Sequence, residues 1–335
     1  MVTLDDIRAA QGRIDGVAVR TPLINVPLIE KKTSPHPELW HLFAKPENLQ
    51  PIGAFKLRGA YNKIAALSET ERSRGVISYS SGNHAQGVAY AARALGIKAV
   101  IVMPGNAPAI KRDGTAALGA EIVTVGSGSE ERKARAEELA AQHGYAVVPP
   151  FNDEFIIAGQ GTMGLEILED LPDVETVLVP VGGGGMLSGI AAALKLASQS
   201  PVRVIGVEPE LAADAQASFR AGHIVNWTAD EVSRTLADGL RTQGLGDITF
   251  AHIHRFVDDI VTVSEEEIRE AVRRLSVNPK LAAEPSGAVA VAAFLFHRQE
   301  LPQTTRNVAI LSGGNIDPEL LREIQNEQPL PARSR

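Results

Sequence analysis

The segment "TVLVPVGGGGMLSGIAAALKLAS", residues 176–198, joins a short apolar run to a helical pattern through four consecutive glycines. Its first six residues have the valine content and the length of a buried strand. The residues after the glycines form an apolar pattern of helical length. A strand that leads directly into a helix is the repeating unit of parallel α/β architecture, so this segment indicates the fold class.

Apolar runs of strand length alternate with helical patterns along the rest of the chain, which favours parallel sheets. The segment "DIVTVSEEEIREAVRRL" joins a strand to a helix at Ser264 and Glu267, which have the spacing of a capping box. Further strands are predicted at 75–81, 98–104, 121–126 and 202–209, with a short one at "AVVPP", and 307–315 are predicted to be the last strand and its turn. Further helices are predicted at 83–96, 108–118, 129–143 and 160–170, and from about Phe55 onward.

We expect two lobes, because 335 residues are many for a single hydrophobic core. The compact series of strands and helices at about 75–150 is the predicted small domain. Residues 1–74 and 151–325 together are the predicted large domain, and 326–335 are predicted to be a loose tail.

The composition excludes several classes of protein. The sequence contains no cysteine, so disulfides, thiolate zinc sites and cysteine nucleophiles are excluded. A formal net charge of −7 argues against nucleic acid or an anionic membrane surface as the main partner. The N-terminus does not have the pattern of a secretory signal, and no uncharged apolar stretch reaches membrane-spanning length. We therefore expect a soluble cytoplasmic protein.

The glycine cluster predicts an anion site. Its members are Gly182, Gly183, Gly184 and Gly185. Glycines allow backbone N–H groups to approach an anion closely, and the helix that follows adds its dipole, so a phosphate group suits this turn. The spacing of a dinucleotide-binding turn is absent from the sequence, because Leu187 and Ser188 stand where its third glycine is needed. The alternative is a tight turn that only allows close packing of helix and strand.

Two more turns with small polar residues follow predicted strands, where open α/β sheets bind ligands. In "SSGNHAQG", residues 80–87, the side chains of Ser80, Ser81, Asn83 and His84 offer more hydrogen-bonding groups than helix capping requires. They suit a bound carboxylate or hydroxyl group, and plain capping is the alternative. "LSGGN", residues 311–315, places Ser312 and two glycines after the last strand and is a weak signal alone.

One lysine lies in apolar surroundings. Lys56 stands between Phe55 and Leu57 in "NLQPIGAFKLRGAYNKIAAL", residues 48–67, and helical spacing places it on or beside the buried face. Burial lowers the pKa of an ammonium group until the neutral, nucleophilic amine becomes accessible, as in lysines that form Schiff bases. The alternative is a lysine that covers the edge of the core with its methylene groups.

Four motifs occur in the order and at the intervals found in the fold-type-II pyridoxal-phosphate (PLP) enzymes. They are "GAFKLRGA", "SSGNHAQG", "VPVGGGGMLSG" and "LSGGN". More narrowly, over about residues 1–325 the sequence resembles the serine/threonine dehydratase and serine racemase family. The resemblance implies a tryptophan synthase β-like α/β fold, with two open parallel-sheet lobes and the active site between them.

The resemblance also implies roles for individual residues. Lys56 would carry the PLP cofactor covalently, and the glycine turn together with Met186 would hold its phosphate. Asn83 would bond the ring hydroxyl, Phe55 would pack against the face of the ring, and Ser312 would meet the pyridine nitrogen. Under this assignment Lys56 is a Schiff-base lysine and the catalytic base.

Three details of these motifs bear on the chemistry. A serine hydroxyl at the ring nitrogen would leave the ring a milder electron sink than a carboxylate would, which suits rapid expulsion of a β-hydroxyl group. The family's usual serine before Phe55 is Ala54 in this chain, which removes one possible hydroxyl contact to the phosphate. The turn at Ser80 to His84 would hold the substrate carboxylate at a helix start.

Three further residues or sets come from the resemblance. Ser81 takes the place of the proton donor on the opposite face in serine racemases. Glu208, the carbonyl of Ala212 and Asp214 match a divalent-cation site, and oxygen ligands suit Mg²⁺ or Ca²⁺. An exposed acidic turn is the alternative there. Arg241 belongs to a loop that lies near the substrate in relatives and could pair with a second substrate carboxylate, with a solvated loop arginine as the alternative.

The first functional hypothesis is a PLP-dependent ammonia-lyase that eliminates the β-hydroxyl of L-threonine or L-serine. The second is a serine racemase or an L-threo-3-hydroxyaspartate dehydratase. The third, of another class, is a catalytically silent PLP-binding regulatory protein. The expected partner is a small amino acid, and the resemblance implies a homodimer or a larger homo-oligomer.

Overall fold

The computed structural model describes residues 1–27, 36–80, 82–105, 107, 109–126 and 129–330. Its strands are β1 (Ile24–Asn25), β2 (Leu42–Pro46), β3 (Val76–Tyr79), β4 (Ala99–Pro104), β5 (Glu121–Val125), β6 (Ala146–Val147), β7 (Thr176–Pro180), β8 (Arg203–Pro209), β9 (Asp259–Val263) and β10 (Asn307–Leu311). The helices up to residue 170 are α1 (Leu4–Ile14), α2 (Lys56–Ala65), α3 (Glu69–Arg74), α4 (Asn83–Ala94), α5 (Ala109–Ala117), α6 (Ser129–His143) and α7 (Glu154–Asp170). The later helices are α8 (Gly185–Ala197), α9 (Asp214–Ala221), α10 (Ala229–Val232), α11 (Asp247–Phe256), α12 (Glu265–Leu275), α13 (Pro285–Phe296) and α14 (Pro318–Asn326).

The strands form two sheets. The six-stranded sheet has the order β1-β2-β10-β7-β8-β9, in which only the short edge strand β1 runs antiparallel. The four-stranded sheet has the order β5-β4-β3-β6 and is parallel throughout. These are the two open parallel sheets that the motifs implied.

Side chains pack on both faces of each sheet, as is typical of parallel sheets, although the edge strand β5 is partly exposed. In β7, Leu178 packs into a core with α12 and α13, whereas Val177 and Val179 pack on the other face with α7 and α8. The alternation follows from the period of two along a strand. In the smaller sheet, Ile101 packs towards α2 and α4, and Val102 packs towards α6.

Most predicted elements agree with the structure. The capping box of α12 is confirmed, because the Ser264 hydroxyl accepts from the Glu267 amide and the Glu267 carboxylate accepts from the Ser264 amide. The helix predicted at 160–170 begins earlier, at Glu154. Asp153 caps it by accepting hydrogen bonds from the amides of Phe155 and Ile156.

The predicted small domain contains all four strands of the smaller sheet. The domain bounds themselves stay a prediction, because membership of a sheet does not define a unit that folds alone. Part of the predicted tail, 331–335, lies outside the described residues. Within the described ranges, no helix combines the length and the hydrophobicity needed to cross a membrane.

Candidate active site

Lys56 is the first residue of α2 and lies against the turn that follows β10. The Phe55 amide donates to the Ser312 carbonyl at 3.0 Å, and Ala54 forms a bridge with Gly313. Two segments that are more than 250 residues apart in sequence therefore hold Lys56 and Ser312 in one place.

The Lys56 side chain has the electrostatics of a nucleophilic amine. Its Nζ donates to the Pro150 carbonyl at 2.8 Å, and within the described part of the chain no carboxylate forms a salt bridge with it. Burial lowers the pKa of Lys56 from its usual 10.5 to about 8. A larger fraction of this amine is therefore neutral near neutral pH than of an ordinary lysine.

The glycine turn is tightly enclosed by side chains. A Cβ atom on Gly183 would lie 2.3 Å from the ring of Phe151, and Gly184 has a left-handed φ of 88° that favours glycine. Thr249 Oγ1 of α11 donates to the Gly183 carbonyl at 2.8 Å, and this hydrogen bond restrains the position of the turn. The turn thus needs glycine for both space and backbone conformation.

The same turn presents a row of unpaired amides. The amides of Val181 and Ser188 bond to the carbonyls of Val207 and Gly184. Residues 182–187 lie between these two bonded amides, and no described residue accepts a hydrogen bond from their backbone N–H groups. Unpaired donors at the start of a helix are the groups that bind a phosphate. The turn therefore fits the phosphate of PLP, and close packing alone does not account for these amides.

The second turn brings α4 against Lys56. A Cβ on Gly87 would lie 3.1 Å from the Lys56 carbonyl, so the two helices meet at a glycine.

His84 Nε2 lies 3.0 Å from the Val148 carbonyl. Burial, and next the charge of Lys56, lower the pKa of His84 to about 3, so this imidazole is neutral. Its Nδ1 is buried without a partner among the described residues, which leaves an acceptor for a ligand hydroxyl or N–H group.

The remaining predicted residues of the turns are placed as follows. The Ser80 hydroxyl accepts from the Gly82 amide at 3.2 Å, so part of this turn is ordinary local capping. Ser81 lies outside the described residues. The buried Ser312 hydroxyl donates to the Ser286 carbonyl at 3.3 Å. Asn83 accepts from Asn315 Nδ2 at 2.9 Å and donates to Glu284 Oε1.

Glu208 and Asp214 form a buried acidic pair. Both carboxylates are fully buried, so the alternative of an exposed acidic turn is wrong. Glu208 accepts from the amides of Ala215 and Gln216 at 3.1 and 2.7 Å, whereas neither Asp214 oxygen has a described partner. Burial, and next the charge of Asp214, raise the pKa of Glu208 well above its ordinary value, and burial raises the pKa of Asp214 to about 7.

Two orphaned, buried carboxylate oxygens fit a bound cation. However, the described residues contain no group of three His, Cys, Asp or Glu side chains that could hold a metal. A cation would therefore depend on Glu208, Asp214, the carbonyl of Ala212 and water. The divalent cation stays a prediction.

Arg241 is tied to its own loop. Its guanidinium donates through Nε to the Thr235 carbonyl at 2.9 Å and through Nη2 at 2.5 Å, and the side chain is exposed. This arrangement agrees with a loop arginine, and the role of Arg241 towards a substrate stays a prediction.

Sequence reasoning missed four residues at this site: Pro150, Asn315, Glu284 and Lys111. Pro150 accepts from Lys56, Asn315 contacts Asn83, and Glu284 contacts both Asn83 and Lys111. Asn315 is the last residue of the motif "LSGGN", and its side-chain amide, a hydrogen-bonding group in a turn after a strand, could have indicated a role at the site. Glu284 precedes Pro285 at a helix start and has no pattern that separates it from a surface residue.

Lys56, an amine of lowered pKa, donates to the Pro150 carbonyl, and the next residue, Phe151, packs on the turn of unpaired amides. This arrangement fits an aldehyde cofactor that carries a phosphate. The family described as "Pyridoxal-phosphate dependent enzyme" matches residues 14–313, and the chain belongs to this family. The fold-type-II resemblance is thereby confirmed.

Relatives of known activity match nearly the whole chain. The L-threonine ammonia-lyase of Thermotoga maritima is 46% identical over 329 residues, which are 98% of this chain and 79% of that protein. The L-threo-3-hydroxyaspartate ammonia-lyase of Saccharomyces cerevisiae is 42% identical over 94% of each chain. The structure of maize serine racemase is 37% identical, with a TM-score of 0.88 and 96% of each chain covered.

Proposed function

We propose that this protein is a PLP-dependent ammonia-lyase that converts L-threonine or L-serine to a 2-oxo acid and ammonia. The observation that carries the proposal is the position of Lys56, an amine of pKa about 8 beside Ser312 and in contact with the helix that begins at Asn83. The identity of about 40% or more to proteins named as ammonia-lyases or dehydratases supports the reaction type.

Each residue has a role that its position supports. Lys56 binds the cofactor covalently, and the amides at Gly182, Gly183, Gly184, Gly185 and Met186 hold the phosphate. Asn83 would hold the ring hydroxyl, Phe55 would lie beside the ring, and Ser312 would hold the ring nitrogen. When bound, PLP accepts the electron pair that is left when a proton leaves the substrate α-carbon.

Lys56 also moves the proton. When Lys56 is not bonded to the cofactor, its amine would accept the proton that leaves the substrate α-carbon. The β carbon–oxygen bond then breaks and its electron pair leaves with the hydroxyl oxygen, which takes up a proton to form water. The unsaturated amino acid that remains reacts with water to give the 2-oxo acid and ammonia. The helix start at Ser80 to Asn83 binds the substrate carboxylate, and Nδ1 of the neutral His84 accepts from the substrate hydroxyl.

The second candidate is an activity on a related amino acid. The relatives named L-threo-3-hydroxyaspartate ammonia-lyase and serine racemase favour it at 42% and 37% identity. Arg241, an exposed guanidinium, would pair with the second carboxylate of hydroxyaspartate. Ser81 would return a proton from the face opposite Lys56 during racemisation.

We further propose that Glu208, Asp214 and the carbonyl of Ala212 bind Mg²⁺ or Ca²⁺. The two unpartnered oxygens of Asp214 support this, because an ion would satisfy them and offset the repulsion with Glu208. A homo-oligomer, which the resemblance implies, and a cytoplasmic location, which the sequence pattern leads us to expect, complete the proposal. Light scattering after gel filtration measures the oligomeric state.

The function is tested with a panel of amino acids. The purified holoenzyme is assayed for release of 2-oxo acids and ammonia from L-threonine, L-serine and L-threo-3-hydroxyaspartate, and for D-serine formation. The proposal expects 2-oxobutyrate or pyruvate as the main product, and loss of that product in Lys56→Ala. Exclusive formation of the D-amino acid would contradict the lyase and support the second candidate.

A further inference from the structure

Asn83 is held at both ends of its side-chain amide. Its Oδ1 accepts from Asn315 Nδ2 at 2.9 Å, and its Nδ2 donates to Glu284 Oε1. An amide nitrogen carries two N–H groups, so one N–H group of Asn83 is left for another acceptor.

The surroundings allow only one orientation of this amide. Asn315 Nδ2 also donates to the Ile52 carbonyl at 2.9 Å, so the nitrogen of Asn315 must face both Ile52 and Asn83. If the Asn83 amide were rotated by half a turn, its oxygen would oppose the Glu284 carboxylate and its nitrogen would oppose the Asn315 nitrogen. Both contacts would be repulsive.

Glu284 is itself fixed by its neighbours. Its side chain is 1% exposed, and its amide donates to the Gly313 carbonyl at 3.0 Å. Lys111 Nζ of α5 lies 3.3 Å from Glu284 Oε2 and 2.6 Å from Asp238 Oδ2. The ammonium therefore compensates two carboxylates, and Glu284 keeps its acceptor oxygen directed at Asn83.

We propose that Glu284 is a positioning residue that, together with Asn315, orients the Asn83 amide so that its remaining N–H donates to the ring oxygen of the cofactor. This inference rests on the proposed function, since it assumes that PLP is bound to Lys56. Glu284 acts through Asn83 and does not need to touch the cofactor.

The consequence is spectroscopic. PLP bound to a lysine interconverts between a visible-absorbing form with a negatively charged ring oxygen and a near-ultraviolet form with a neutral ring hydroxyl. A hydrogen bond donated to the ring oxygen stabilises the charged form. Loss of the bond should lower the ratio of visible to near-ultraviolet absorbance by roughly tenfold, which corresponds to about 1.4 kcal/mol.

The experiment compares absorbance spectra of holoenzyme variants at one pH. Glu284→Ala removes the acceptor, Glu284→Gln keeps an acceptor oxygen without the charge, and Asn315→Ala removes the other fixed contact. Glu270→Ala is the matched control, because Glu270 is also a buried carboxylate but pairs with Arg273 and Arg274 on α12. Circular dichroism verifies that each variant is folded, and Asn315→Ala tests the inference if Glu284→Ala does not fold.

The expected result is a strongly reduced ratio in Glu284→Ala and Asn315→Ala, and a ratio close to wild type in Glu284→Gln and Glu270→Ala. The inference is overturned if Glu284→Ala or Asn315→Ala keeps the wild-type ratio while folded. It is also overturned if Glu284→Gln loses as much as Glu284→Ala, because charge and not orientation would then be responsible. A wild-type protein without any lysine-bound PLP absorbance would instead refute the proposed function.

Discussion

Replacing Gly183 by alanine tests whether the glycine turn binds the phosphate of the cofactor. We expect the variant to fold with reduced stability and to bind PLP more weakly. The new Cβ would lie 2.3–2.4 Å from three ring atoms of Phe151, far inside van der Waals contact. The turn cannot simply withdraw, because Thr249 holds the Gly183 carbonyl at 2.8 Å. The Phe151 ring must therefore move, and it is the neighbour of Pro150, which accepts from Lys56.

The magnitude follows from two effects. Overpacking of this kind costs about 1–3 kcal/mol of folding free energy. Loss of one amide hydrogen bond to a charged phosphate costs about 1.5–3 kcal/mol of binding free energy, so the cofactor should bind about 10- to 100-fold more weakly. Gly12→Ala is the control, because a Cβ at this position meets nothing within 4 Å. The free energy of unfolding should rise by a few tenths of a kcal/mol or more, since alanine favours helix α1 more than glycine does.

The assay is a PLP titration of apoenzyme followed by absorbance, with urea unfolding of the same samples. A double variant, Gly183→Ala with Phe151→Ala, removes the clash and should bind PLP more tightly than Gly183→Ala alone. Wild-type PLP affinity in Gly183→Ala would refute the assignment of this turn to the phosphate.

Three further predictions concern other parts of the molecule. Mg²⁺ or Ca²⁺ should raise the melting temperature increasingly as pH rises through about 7, because the pKa of Asp214 is raised to about 7 and its ionised form binds the cation; an equal effect in Asp214→Ala would exclude this site. Hydrogen bonding to Glu267, and next to Glu300, raises the pKa of His297. The contribution of His297 to the free energy of unfolding is therefore complete below the pKa of an unfolded histidine and declines as pH rises through the pKa of the folded state. Urea unfolding of His297→Gln should show a weaker decline over that range, and an unchanged slope would contradict the ion pair. Ser81→Ala should reduce any L-to-D conversion of serine much more than 2-oxo acid release, measured together on the same sample, and a parallel loss would make Ser81 a general binding residue.

The strands were predictable because buried parallel strands are apolar throughout. β4, β7, β8 and β10 begin or end within two residues of the predicted bounds. Helices that are buried on all sides were harder to predict from the sequence. All 12 residues of α13 are buried, so it lacks the polar face that gives a helix its period, and it was not predicted.

Asn83, the glycine turn and Ser312 were predictable because they follow strands, where the backbone brings turns together. Lys56 was predictable from its apolar surroundings and from the resemblance. In the structure the Phe55 amide bonds to the Ser312 carbonyl, which places Lys56, the next residue, close to Ser312. Glu284 and Lys111 were not predictable, since isolated charged residues in a sequence are usually at the surface. Their burial depends on a pairing between α5 and the start of α13, which no local pattern encodes.

The central claim is that Lys56 is the lysine that carries the cofactor. Borohydride reduces the imine between a lysine and PLP to a stable amine, by adding hydride to the imine carbon, and mass spectrometry of a digest then locates the modified lysine. The account predicts one phosphopyridoxyl group, on Lys56, and none on the buried Lys45 or Lys111. Modification of Lys111 or Lys45 in place of Lys56, or an unchanged label in Lys56→Ala, would contradict it.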